Sequence, residues 1–85
     1  MNHEVLNCEI HDLHTFSQFV EKLCSNFTEH PEQWENKTLG TFLTAMSSYA
    51  ADMQNYYHNS KQDIDANIPT WKVFKDILIG SAMYE

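Results

Sequence analysis

The sequence predicts an all-α fold: a small bundle of three main helices over about residues 12–30, 38–58 and 70–84, with a short N-terminal helix ahead of them. Three observations predict it. Apolar residues return every three or four positions in three separate segments, each segment opens on a residue type that caps helices, and no stretch keeps the two-residue alternation of a half-buried strand. The 85 residues are read as one domain spanning 1–85, since there is no internal repeat or low-complexity tract. A hydrophobic content of 42% is enough to build a core without disulfides.

Val5 and Leu6 suggest a first short helical turn. In the next segment Phe16, Phe19, Val20, Leu23, Cys24 and Phe27 fall on one helical stripe, with Asp12 as cap and Pro31 ending the helix near His30. The same reading makes Cys24 an inert core residue. The clearest pattern is Leu39, Phe42, Leu43, Met46, Ala50, Met53 and Tyr57, capped by Thr38 or Asn36. Residues 59–68 are polar and aperiodic, hence a loop. Trp71, Phe74, Ile77, Leu78 and Ala82 then form the last helix, with Thr70 as cap behind Pro69.

The middle helix carries only one formal charge, Asp52, between Thr38 and Tyr57, and its off-core side holds the small residues Gly40, Thr44, Ser47, Ser48 and Ala51. Small side chains permit close helix approach. The expectation is therefore a central helix contacted on two sides. The alternative is a self-association stripe of Gly40, Thr44, Ser48 and Ala51 that would make a homodimer.

Charge narrows the partners. The net charge is −7, every base is a lysine, and the acids Glu4, Glu9, Asp12, Glu21, Glu29, Glu32 and Glu35 face only Lys22 in the first third. Without arginine, and with this sign, nucleic acid is not expected as a ligand. A basic protein would be steered to the first third, so Glu29, Glu32 and Glu35 are candidate binding residues. Asp52 and Tyr56 are added because they share a helix side and aromatics beside polar groups are enriched at hot spots. No run is long and apolar enough to cross a bilayer and the start lacks a secretory pattern, so no membrane partner and a cytoplasmic location are expected, with Cys8 and Cys24 as free thiols.

Little in the chain supports chemistry. Cys8, His11 and His14 have a helical spacing of three, but a structural zinc site needs four ligands in a better arrangement. Asp63, Asp65 and Asn67 open like a calcium loop, yet Ile68 stands where glycine is required and Phe74 where the glutamate belongs. Only Gly40 and Gly80 are present, so there is no phosphate loop. The expectation is no enzyme, no cofactor and no metal site, with a metal-binding protein built on these histidines as the less favoured alternative.

Trp34-Glu35-Asn36-Lys37-Thr38-Leu39, Phe42-Leu43-Thr44-Ala45-Met46, Asp52-Met53 with Tyr56-Tyr57, Pro69-Thr70-Trp71 and the ending Ile77-Leu78 with Tyr84-Glu85 resemble a family of short, acidic, uncharacterised bacterial proteins. The likeness covers about residues 12–85; Gly40 and the early histidines depart from its pattern. The resemblance implies an accessory or immunity-type role, hence a small acidic module that binds an unidentified, basic protein partner.

Overall fold

The computed structural model describes Met1 and residues 3–84; Asn2 and Glu85, the latter part of the resemblance above, lie outside the described residues. Four α-helices follow in order: α1 His3–Leu6, α2 Leu13–Glu29, α3 Leu39–Asn59 and α4 Trp71–Met83, with a 3-10 turn over Pro31–Gln33 between α2 and α3. No strand occurs among the described residues. The three main helices start where the caps place them. Asp12, Thr38 and Thr70 each accept a hydrogen bond from the backbone N–H three residues on, which satisfies a donor that the first helical turn leaves unpaired.

Asp12 and Thr15 form a reciprocal box, and the hydrogen bonds from Thr15, its backbone N–H first, hold the Asp12 carboxyl below its ordinary value of 3.8. Because the folded-state value lies below the unfolded one, the charged cap contributes at neutral pH and is lost as pH falls through the folded value. Asp12→Asn keeps a capping side chain but does not titrate. Between about pH 5 and 3 the urea midpoint of the wild type should therefore fall further than that of the variant. Equal losses would contradict this role.

Asn36, a second candidate cap for α3, is used elsewhere. Its Nδ2 donates to the carbonyls of Ser81 at 2.9 Å and Tyr84 at 2.6 Å, while the backbone N–H groups of Glu35 and Asn36 donate to Ala82 O. The linker into α3 thus covers carbonyls at the end of α4 that no intrahelical donor reaches. The long loop is tied down in a similar way by Gln54, which donates to Ile64 O and accepts from Ala66 N, both at 2.8 Å.

Two cores result. Val5, Phe19, Leu23, Trp34 and Ala82 form one, drawing on α1, α2, the linker and α4. Met53, Tyr57 and Val73 form the other inside the α3–α4 hairpin, with Tyr49, Ile64 and Ile77 against it. Three expectations are corrected by this arrangement. The buried line of α3 runs through Ala45, Met53 and Tyr57, so Leu39 and Leu43, 75% and 52% exposed, and Ala50 face solvent. Cys24 is exposed, because α2 buries Phe19, Leu23 and Asn26 instead. The middle helix is not wrapped on two sides: it packs on α4, and Gly40, Thr44, Ser48 and Ala51 are all exposed.

Candidate functional site

Trp34 joins the two halves. Its ring meets Phe27 edge-on at 5.0 Å between centroids and lies roughly parallel to Phe42 at 6.2 Å, so it bridges α2 and α3. Its indole N–H donates to Asn26 Oδ1 at 2.8 Å in a buried contact. A large ring inserted between α2 and α3 also holds the two helices apart. Beside it lies an open groove of about 430 Å³, walled by Phe16, Val20 and Phe27 on one side and Leu39 and Phe42 on the other, with Leu78 from α4. Among the described residues along it, Lys37 alone is formally charged.

The groove exists because α2 has more apolar surface than the core absorbs. Phe19 and Leu23 point inward, whereas Leu13, Val20 and Cys24 occupy the flank of the same stripe and remain exposed. Leu39 and Leu43 do the same on α3. Isolated exposed leucines such as Leu13 and Leu43 need no explanation, but exposed Val20 and Cys24 on one wall and Leu39 on the other line a single groove, a feature of docking surfaces.

The candidate binding residues fall into separate places. Glu29 lines a cleft between α1 and α2. Glu32 lies on the 3-10 turn with its carboxylate 3.4 Å from His30 Nδ1, and the exposed Glu35 is held by its backbone at the end of α4. Asp52 accepts from Asn55 Nδ2 at 3.3 Å on the exposed side of α3. Tyr56 stacks on Tyr49 at 4.8 Å and lines a shallow pocket with Tyr84 and Asp76. Glu29 and Tyr56 line different cavities. Gly40, Thr44 and Ser48 line another shallow depression with Tyr84.

Tyr57, rather than Tyr56, completes the second core, and its hydroxyl donates to Asp76 Oδ2 at 2.8 Å, where Lys72 Nζ also sits at 2.9 Å. Burial, then the Asp76 carboxylate, pushes the Tyr57 phenol well above its usual value, so it stays protonated as a donor. Burial likewise raises Tyr49. Among the described residues no three His, Cys, Asp or Glu side chains converge closely enough to hold a metal ion, and no helix is long and apolar enough to cross a membrane.

Sequence reasoning missed Asn26, Asp76 and the groove itself. Asn26 was within reach, because it continues the inward line of Phe19 and Leu23 at helical spacing. The groove was not, because a periodic pattern says which residues are apolar but not which of them will find a neighbour.

These features define a small helical domain with an open apolar groove between α2 and α3 and an acidic cleft on the other flank of α2. The chain belongs to a family of unknown function, DUF7660, whose model matches residues 13–85. No curated protein and no solved structure matches the chain.

Proposed function

We propose that the protein is a small acidic binding module, of an accessory or immunity type, that takes an amphipathic helix from a basic protein partner into the groove between α2 and α3. The observation that carries this reading is the groove's lining: aromatic and aliphatic walls open to solvent, which suit the apolar face of a helix. The net charge of −7 favours a basic occupant through long-range attraction, the groove's own lining carrying Lys37 alone among the described residues. Lys37 at the groove edge would meet an acidic or carbonyl end of that helix.

A twenty-residue amphipathic peptide with leucines on one face and lysines on the other is the probe, titrated while the combined fluorescence of Trp34 and Trp71 is followed. Binding should saturate and weaken with added salt, and Val20→Asp with Leu39→Asp should reduce affinity at least about tenfold, the effect of about 1.4 kcal/mol. Both positions are exposed, so the variant should fold as judged by circular dichroism. An unchanged affinity in the folded variant, or no binding to wild type, would remove the reading.

A second reading is self-association through α3. Its support is that Gly40, Thr44, Ser48 and Ala51 are solvent-exposed, and that a Cβ on Gly40 would meet no described atom within 4 Å beyond its chain neighbours and its own helix backbone. Sedimentation at micromolar concentration decides it, a monomeric mass removing it.

A further inference from the structure

The other flank of α2 carries a second surface. Between α1 and α2 lies a cleft of about 480 Å³ lined by the carboxylates of Glu4, Glu21 and Glu29, the ammonium of Lys22, and a floor that includes Val5 and Asn26. Three anions against one cation leave the cleft negative. The carboxylates do not converge on a point that could chelate a metal ion, so the charge is spread along the cleft.

Acidic side chains at a surface are by themselves only solvated, and the informative group is Asn26. It is 2% exposed, and its Oδ1 accepts the Trp34 indole N–H at 2.8 Å. That contact fixes the amide's orientation, because a flipped amide would set Nδ2 against another donor. Nδ2 is then a buried donor with no acceptor among the described residues. Oδ1 is turned to Trp34, and Asn26 is one of the residues lining the cleft, which makes the cleft the side from which an outside acceptor would approach Nδ2. Buried polar groups are nearly always paired, and an orphan donor in a native fold calls for an acceptor from outside.

The geometry points to this cleft as a binding site for an extended peptide segment bearing arginine or lysine, one of whose backbone carbonyls accepts from Asn26 Nδ2 while its cationic side chains meet Glu4, Glu21 and Glu29. Each half of the ligand answers one half of the site. A bare cation offers nothing to the Asn26 donor, and a neutral or acidic peptide offers nothing to the carboxylates. The inference rests on the reading of the protein as a partner for basic proteins, and it adds a second contact on the face of α2 opposite the groove.

The test uses the full-length, nitrogen-15-labelled protein and the N-acetylated, C-amidated peptide Ala-Arg-Ala-Arg-Ala. Tetramethylguanidinium serves as a cation without an acceptor, and the matching Ala-Glu-Ala-Glu-Ala peptide as an acceptor without a cation. The arginine peptide should shift the Asn26 side-chain amide signals saturably, and neither control should. Replacing exposed Glu21 and Glu29 together by glutamine should weaken the peptide about fivefold, as expected for two solvent-exposed ion pairs. The Val20→Asp, Leu39→Asp variant should bind it as the wild type does, so the groove can fail without the cleft and the cleft without the groove. Asn26 signals that do not move with the arginine peptide, that move equally with tetramethylguanidinium, or an affinity unaltered by the double glutamine variant would each overturn the assignment. So would an Asn26 amide that shows cross-relaxation to a long-lived water persisting at peptide saturation, since the donor would then serve that water alone.

Discussion

Trp34→Ala is expected to cost about 3–5 kcal/mol, the range for removing a large buried aromatic. The side chain is 7% exposed, touches Phe27 and Phe42, and is the buried partner of Asn26. Its loss leaves a cavity between α2 and the α3–α4 hairpin and a second orphaned atom on Asn26. A domain of 85 residues has about 5–10 kcal/mol of stability in all, so the melting temperature should fall by about 15 °C or more. Trp34→Phe separates the two causes. It keeps most of the apolar contact but removes the indole N–H, and should cost about 1–3 kcal/mol, the penalty of leaving Asn26 Oδ1 buried and unpaired. Thermal denaturation of both variants checks this, and a Trp34→Ala protein that melts within a few degrees of wild type would mean that α2 is held by other contacts.

Gly80→Ala should destabilise even though alanine is the better helix former. Gly80 lies inside α4, where the exchange alone is worth about 1 kcal/mol in favour of alanine. A Cβ there would stand 2.2 Å from Tyr49 Cε1 and 2.3 Å from Cζ, far inside contact distance. The clash is with a ring rather than a free chain end, and that ring is stacked on Tyr56 and set edge-on to Tyr84, so it cannot turn without giving up both contacts. Overpacking of this kind costs about 1–3 kcal/mol or more, which outweighs the helix gain. The expected net loss is up to about 2 kcal/mol, from the difference of the two effects. In a Tyr49→Ala background the sign should reverse, Gly80→Ala becoming neutral or stabilising. Urea melts of the four proteins measure this cycle, and a destabilisation that persists without Tyr49 would show that the ring is not the obstacle.

The helices were legible in the sequence because their causes are local. Asp12, Thr38 and Thr70 precede apolar periodicity by one residue, and the structure starts α2, α3 and α4 immediately after them. What each helix buries was less legible, because it is decided by neighbours distant in sequence. Leu39, Leu43 and Ala50 satisfy the spacing as well as Met53 and Tyr57, yet α3 is turned so that Ala45 and Tyr49 face α4, where Gly80 makes room for the Tyr49 ring. Cys24 shares its stripe with Leu23 and ends on the exposed side for the same reason. The acids Glu29, Glu32 and Glu35 were chosen for charge alone. Their surroundings differ, one on a cleft and two on the turn and linker into α3, because α2 ends between them.

The proposed function requires the groove between α2 and α3 to be a surface that takes up a helix. The direct measurement is a chemical-shift map of the labelled protein with the leucine–lysine peptide. The prediction is that the largest changes fall on Val20, Cys24, Leu39 and the Trp34 indole N–H. Shifts confined to the Gly40, Thr44, Ser48 and Ala51 stripe, or absent at saturating peptide, would contradict it.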